Sequence, residues 1–275
     1  MLLGMRKVKW MMRAGVASLI LGAMVAGGCS GGGARSTQAL YDPRTLPTGP
    51  PGDSIAYGYA LIVKTHKLMK GYVRADMSCD ACHLAAGQQA RGGSFVGVYG
   101  RFPQWNKRAH RVIALQDRIA ECFLYSMNGK PPTYNSKAMI AIVAYIAWLS
   151  RGTPVGAKQP ASDRYIEPLP SSPPDKARGR SLFDQRCAEC HQSDGAGISG
   201  VYPPLWGPRS FNGGAGMAHI DRMTGFVRYN MPQNAPGSLT LEQAYDVAAF
   251  VLSHPRPHFH RDAVVVTGPQ PAKYF

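Results

Sequence analysis

Two pentapeptides, CDACH at residues 79–83 and CAECH at residues 187–191, carry the strongest chemistry in this sequence. Each places two cysteines at i and i+3, with a histidine directly after the second. Thiols at that spacing can add to the two vinyl groups of one haem, while the histidine coordinates its iron. Zinc would need four ligands from motifs lying close together, and these two lie in different halves of the chain. A thioredoxin-like redox pair belongs beside a βαβ pattern, and none is visible. Cys79, Cys82 and His83 are therefore read as the attachment site of haem 1, and Cys187, Cys190 and His191 as that of haem 2, both with iron.

Each iron then needs a ligand on its other side. In the second half, YNMPQ offers Met231, after a helix-like segment and directly before a proline. A thioether there suits a haem of raised potential, although Met231 could also be core filler like Met217 or Met223. The first half has no Met-Pro pair. Met127 and Met139 sit in helix-like runs, and Cys122 follows His83 at nearly the interval by which Met231 follows His191. An ionised cysteine is a strong iron ligand, but a cysteine is also an ordinary small core residue, so spacing alone leaves both readings open. On a helix, Arg118, Cys122 and Ser126 would form one slowly drifting stripe beside an apolar stripe of Ile119, Phe123 and Met127.

The elements that must position these groups read as helices. YALIVKTHKLMKGY precedes the first motif and KARGRSLFDQR the second, while AMIAIVAYIAWLS (138–150) and TLEQAYDVAAFVLS close the two halves. Thr240 and Gln243 have the spacing of a capping box. No convincing alternating strand run is present, so the expected fold is all-α, two helical domains of one repeated plan. Between them the stretch 152–174 holds six prolines, which rules out a continuous helix or central strand and reads as a linker.

The chain begins with Arg6, Lys7, Lys9 and Arg13, then an apolar run from Ala14 to Ala26 ending in small residues. That is the plan of a secretory signal, too short for a membrane span. AGGC resembles a lipobox with Cys29 as the lipidated residue, and SGGGARSTQ after it reads as a flexible tether. The expected domains are a signal peptide at 1–28, a tether at 29–56, a first domain at 57–152, a Pro-rich linker at 153–174, a second domain at 175–260 and a tail at 261–275 that yields no functional reading. A periplasmic protein, anchored to a membrane if Cys29 carries lipid, follows from this.

Loss of residues 1–28 would remove four of 31 Lys and Arg and none of 16 Asp and Glu, lowering the net charge from +15 to +11. Export and the absence of basic clusters interleaved with aromatics argue against nucleic acid. The charge is also uneven. Residues 57–152 hold 13 Lys and Arg against four Asp and Glu, and residues 175–260 hold eight against seven. A first domain this basic suits the collection of small anions, which an electron relay would not need.

From about residue 57 to 260 the chain resembles the dihaem thiosulfate dehydrogenase (tetrathionate synthase) family. The likeness is carried by CxxCH followed by RIAECFLYSMNGK, and by NMP and DVAAFV in the second half. The first domain is also similar to the A subunit of Sox-type cytochromes. The resemblance implies two class I cytochrome c-like domains and an active-site haem 1 ligated by His83 and Cys122. It places Arg108, Arg118 and Ser126 close to bound sulfur anions, with Lys130 a further candidate. It implies oxidative coupling of two thiosulfates to tetrathionate, in either direction, with electrons passing through haem 2 to a small periplasmic electron-transfer protein. Some members carry a lysine before the haem 2 methionine. Here Asn230 occupies that position and no lysine lies between Lys176 and Lys273, which leaves Met231 as the ligand. The competing reading is a non-catalytic dihaem electron carrier.

Overall fold

The computed structural model describes residues 41–160, 163–166 and 168–259, all within one compact unit. The signal peptide expected at 1–28, Cys29 and the tail at 261–275 lie outside the described residues, as does the tether as far as residue 40.

Six helices form the frame: α1 (Pro50–Val63), α2 (Leu115–Glu121), α3 (Lys137–Leu149), α4 (Lys176–Arg186), α5 (Ile220–Asn230) and α6 (Leu241–Leu252). Three of them, α3, α4 and α6, start at a side chain that accepts an otherwise unpaired amide. Ser136 accepts from Met139 N at 3.2 Å to begin α3, and Asp175 accepts from Ala177 N and Arg178 N to begin α4. Thr240 and Gln243 exchange bonds of 3.2 and 3.0 Å, closing the capping box at α6. Helix α1 starts at Pro50, inside the stretch read from sequence as tether; proline at the first turn loses no helical hydrogen bond.

One packing device serves both halves. Helix α1 lies against α3, and α4 against α6, each pair crossing at a glycine. A Cβ at Gly58 would collide with the Ala141 carbonyl, and one at Gly179 with the Asp246 carbonyl. The crossings bury Leu61, Met139, Ile142 and Tyr145 in the first half, and Phe183, Ala244, Val247 and Val251 in the second. A fully buried Phe183 contributes about 2–3 kcal/mol by leaving water. Asp246, also buried, is held by Asp175 N at 2.7 Å and by the Arg178 guanidinium, so its charge is paired.

One element departs from the all-helical expectation. Gln104–Asn106 (β1) and Arg111–Ile113 (β2) form an antiparallel hairpin, Trp105 facing Val112. It is too short to show alternation in sequence. Its turn is fixed by Asn106 Oδ1, which accepts from the amides of Arg108 and Ala109.

The halves are joined by more than the linker. Ala75, Met77 and Met127 of the first half pack into the core of the second. Asp76 pairs with Arg209 at 3.0 Å and accepts from Ser199 Oγ at 3.1 Å. Among the described residues no helix is long and apolar enough to cross a membrane.

Candidate active site

A cavity of about 310 Å³ opens in the first half, and the first CxxCH motif forms one side of it through Cys79, Cys82 and His83. His83 Nδ1 donates to the Gly93 carbonyl at 2.5 Å, and the ring stacks on Phe95. Burial lowers its pKa to about 4, so the ring is neutral and, with Nδ1 carrying the proton, Nε2 keeps its lone pair for a metal. The backbone must come very close for this. A Cβ at Gly93 would stand 2.9 Å from His83 Nδ1 and 2.6 Å from Cys82 O, at φ +69°, a conformation glycine accepts readily. Burial pushes the Cys79 and Cys82 thiols up to about 12, although Thr65 Oγ1, 3.3 Å from Cys79 Sγ, works the other way. As protonated thiols these two are poised for addition across a vinyl group. Among the described residues no cluster of three or more His, Cys, Asp or Glu is arranged to hold a metal ion by itself.

Helix α2 and the turn after it also line the cavity. Helix α2 ends at Glu121, and residues Cys122–Ser126 continue as a π turn, with Met127 N donating to Cys122 O at 2.9 Å. Single π turns inside α-helices occur frequently at functional sites. Arg118, Cys122 and Ser126 all line the cavity, as do their apolar neighbours Ile119, Phe123 and Met127. The Arg118 guanidinium is raised above its ordinary value, first by its electrostatic interaction with the neighbouring Cys122 and against the effect of burial. Arg118 also pairs with Glu121 at 3.2 Å, and Glu121 accepts from Asn106 Nδ2 at 2.9 Å. Met139, the other methionine weighed as a ligand, is buried in the first core away from the cavity, whereas Met127 borders it.

Two expected residues do not line the cavity. Arg108 is exposed on the β1–β2 turn, its guanidinium 4.2 Å from the Tyr125 ring centroid. Lys130 is exposed beyond the π turn, its amide bonded to Tyr72 O at 2.9 Å.

Arg101, one of the basic residues close in sequence to Cys122, lines the cavity too, as do Gln159 and Tyr165. Arg101 donates to Gln159 Oε1 at 3.3 Å, while its Nε is buried without a partner. Gln159 and Tyr165 belong to the Pro-rich segment, which therefore covers the cavity as well as spanning two domains. Tyr165 also meets Phe226 of α5 edge-on.

In the second half His191 repeats the arrangement of His83: Nδ1 lies 3.0 Å from Pro203 O, and burial lowers the ring's pKa. Cys187 is raised to about 11 by burial. Met231 follows α5 in extended conformation, its amide bonded to Val227 O, and packs against the second core with Cys187. Both donor sets fit c-type haem: paired thiols, a neutral histidine fixed through Nδ1, and a sulfur-bearing residue on another element. The unpartnered Arg101 Nε adds a donor that a carboxylate-bearing group would satisfy.

Comparison with known proteins agrees. Residues 70–155 match the SoxA/TsdA cytochrome c domain, and residues 176–255 match the cytochrome c family. A thiosulfate dehydrogenase of Allochromatium vinosum is 42% identical over 235 residues, covering 81% of this chain and 86% of the relative. The chain belongs to the thiosulfate dehydrogenase family. The enzyme of that name from Stutzerimonas stutzeri is 38% identical over 218 residues, covering 78% of this chain and 71% of the relative. Among solved structures, thiosulfate dehydrogenase TsdBA of Marichromatium purpuratum superposes with a TM-score of 0.75 at 34% identity, covering 79% of this chain. This chain spans 49% of that longer one. As a member of the thiosulfate dehydrogenase family, the protein consists of two cytochrome c domains carrying two covalently bound c-type haems.

Proposed function

We propose that this protein oxidises thiosulfate to tetrathionate, 2 S2O3²⁻ → S4O6²⁻ + 2 e⁻, at the cavity of the first domain. The observation that carries the reading is that Arg118, Cys122 and Ser126 line the same cavity as Cys79, Cys82 and His83. The relatives named thiosulfate dehydrogenase, alike over most of the chain, supply the substrate. The haems, when bound, supply one-electron acceptors.

His83 and Cys122 would ligate haem 1, and His191 and Met231 haem 2. Cys122 thiolate bonds the outer sulfur of one thiosulfate, the pair losing two electrons to give a cysteine S-thiosulfonate. The outer sulfur of a second thiosulfate attacks the same substrate sulfur, releasing tetrathionate and restoring the Cys122 thiolate. Two dianions repel at contact distance, and the Arg118 guanidinium offsets part of that cost while Ser126 Oγ can donate to a sulfonate oxygen. Arg108 and Lys130, both exposed, belong to the basic approach to this cavity rather than to its lining.

The signal-like segment 1–28 supports a periplasmic location, and AGGC supports lipid attachment at Cys29. The second domain, nearly neutral in its residue charges, would pass electrons to a small periplasmic electron-transfer protein. The proposed domain limits are 50–152, so that the first domain takes in all of α1, and 175–260.

The test is turnover of purified dihaem protein with thiosulfate and an artificial acceptor, and the reverse with tetrathionate and a reduced donor. Cys122→Gly should retain both covalent haems and lose at least about a hundredfold in kcat, the scale expected when a nucleophile is removed. Full activity in that variant refutes the mechanism. No turnover in the wild type favours the electron-carrier reading.

A further inference from the structure

The π turn that carries Cys122 and Ser126 leaves backbone acceptors that its own helix does not take up. The chain leaves the helix after Ser126, so no helical amide follows to bond the last carbonyls. Met127 N bonds Cys122 O and Gly129 N bonds Phe123 O, at 2.9 and 2.8 Å. The next two carbonyls, of Leu124 and Tyr125, are received by a residue of the other domain. Asn212 Nδ2 donates to Leu124 O at 2.8 Å, and Asn212 N donates to Tyr125 O at 3.3 Å.

Asn212 is itself tightly fixed. Only 3% exposed, it accepts from Gly214 N through Oδ1 at 2.9 Å, and its Nδ2 lies 3.4 Å from Asn128 Oδ1. Its neighbours Phe211 and Ala215 belong to the second core. The side chain is therefore a rigid donor held by domain 2 and aimed at the ligand-bearing turn of domain 1.

We propose that Asn212 is a positioning residue that sets the π turn of Cys122 and Ser126, so that domain 2 holds the reacting residues in register as well as carrying electrons. Asn212 does not line the cavity and acts through the backbone of residues 124 and 125. Without its side chain the Leu124 carbonyl loses its donor while the backbone bond from Asn212 N to Tyr125 O stays, and the turn, held at one carbonyl instead of two, relaxes toward ordinary helix. Relaxation rotates Cys122 relative to His83 and withdraws Ser126 from Arg118. The inference rests on Cys122 being a ligand of haem 1.

The test compares three forms of the dihaem protein: wild type, Asn212→Ala and Arg209→Ala. The last removes an interdomain ion pair at the surface without touching the π turn. Electron paramagnetic resonance reads each low-spin haem, a thiolate-ligated one being distinct from a methionine-ligated one. Asn212→Ala should broaden or shift the haem 1 thiolate signal, leave the haem 2 signal unchanged, and lower kcat by about tenfold or more at nearly constant KM. Arg209→Ala should alter none of these. Asn212→Asp, which keeps the volume but faces the Leu124 carbonyl with a carboxylate, should repeat the Asn212→Ala change if that variant accumulates poorly. An unchanged thiolate signal in the Asn212 variants, or an equal change in Arg209→Ala, overturns the proposal. Absence of a thiolate signal from the wild type instead overturns the ligation on which it rests.

Discussion

Asn230→Leu should loosen the contact between the two domains at the residue directly before Met231. Asn230 is 1% exposed and uses both ends of its amide. Oδ1 accepts from Gln89 Nε2 at 2.9 Å, and Nδ2 donates to the carbonyls of Arg91 and Phe226, each at 3.0 Å. Gln89 and Arg91 belong to the first-domain loop that begins at His83 and returns at Gly93 to accept the His83 Nδ1 hydrogen bond. That loop holds Ala85, Ala86 and Arg91 at positive φ, so it persists only where surrounding contacts over-determine it. Leucine fills nearly the same volume but leaves the Arg91 and Phe226 carbonyls without this donor. Each hydrogen bond contributes about 1 kcal/mol net, and a stranded buried acceptor costs about 1–3 kcal/mol, so the expected loss is about 3 kcal/mol. For a protein of this size that lowers the melting temperature by about 6–12 °C. Thermal unfolding followed at the haem absorbance measures it. Gln89→Ala alone should cost less, because Gln89 reaches the edge of the contact, and the double variant should fall short of the sum by about 0.5 kcal/mol or more. The methionine-ligation band of haem 2 should weaken in Asn230→Leu. A melting temperature within about 1 °C of wild type, with additive single variants, would refute the reasoning, since an unlinked surface amide behaves that way.

Two further outcomes follow from the first domain. Gly93→Ala places a Cβ 2.9 Å from His83 Nδ1 at positive φ, so it should break the His83–Gly93 bond, lower the haem content of the first domain in purified protein, and leave haem 2 loaded. Equal loading of both sites would contradict the role given to Gly93. Asp117, at the start of α2, is disfavoured as an anion by burial, but hydrogen bonds from Tyr134, Arg111 and Ala114 N outweigh this and hold its pKa below the ordinary carboxylate value. A depressed pKa stabilises the fold above about pH 4, where the unfolded chain also carries the charge, and this stability is lost as pH falls through the folded value. Asp117→Asn should therefore destabilise the protein by about 2 kcal/mol at pH 7, with the difference from wild type shrinking below about pH 4. A difference independent of pH would mean that the Asp117 charge contributes nothing.

The haem attachment motifs, the helices around them and the cap at Thr240 were legible because each is written in neighbouring residues. CxxCH needs only five positions, and a capping box only four. The β1–β2 hairpin was not legible. Its short strands are held by tertiary contacts such as Asn106 to Glu121 and Arg111 to Asp117. Proline content correctly denied an α-helix to the described residues of 152–174, yet nothing in it indicates that Gln159 and Tyr165 line a cavity. Asn212 and Asn230 carry no local signal either. Their partners Leu124 and Asn128, and Gln89 and Arg91, lie in the other half of the sequence, and only folding brings them together.

The stripe of Arg118, Cys122 and Ser126 shows where a correct pattern needs a physical correction. In an α-helix four residues overshoot a full turn by about 40°, so two such steps would carry Ser126 about 80° from Arg118. A thiol would then have a cation on one side and no hydroxyl within reach of the same anion. A π turn has more residues per turn and rotates each one less, so the second step falls back where the first ran ahead. The α-helical step from Arg118 to Cys122 and the π step from Cys122 to Ser126 thus compensate, and all three side chains line one cavity. The compensation has a cost, because a wide turn is poorly packed and leaves carbonyls unserved at its end. Two of those carbonyls are served by Asn212, from a different cytochrome domain. A one-domain cytochrome with the same first-half sequence would lack that donor, and its helix would be free to tighten. The second domain is therefore tied to the chemistry through geometry as well as through electron flow.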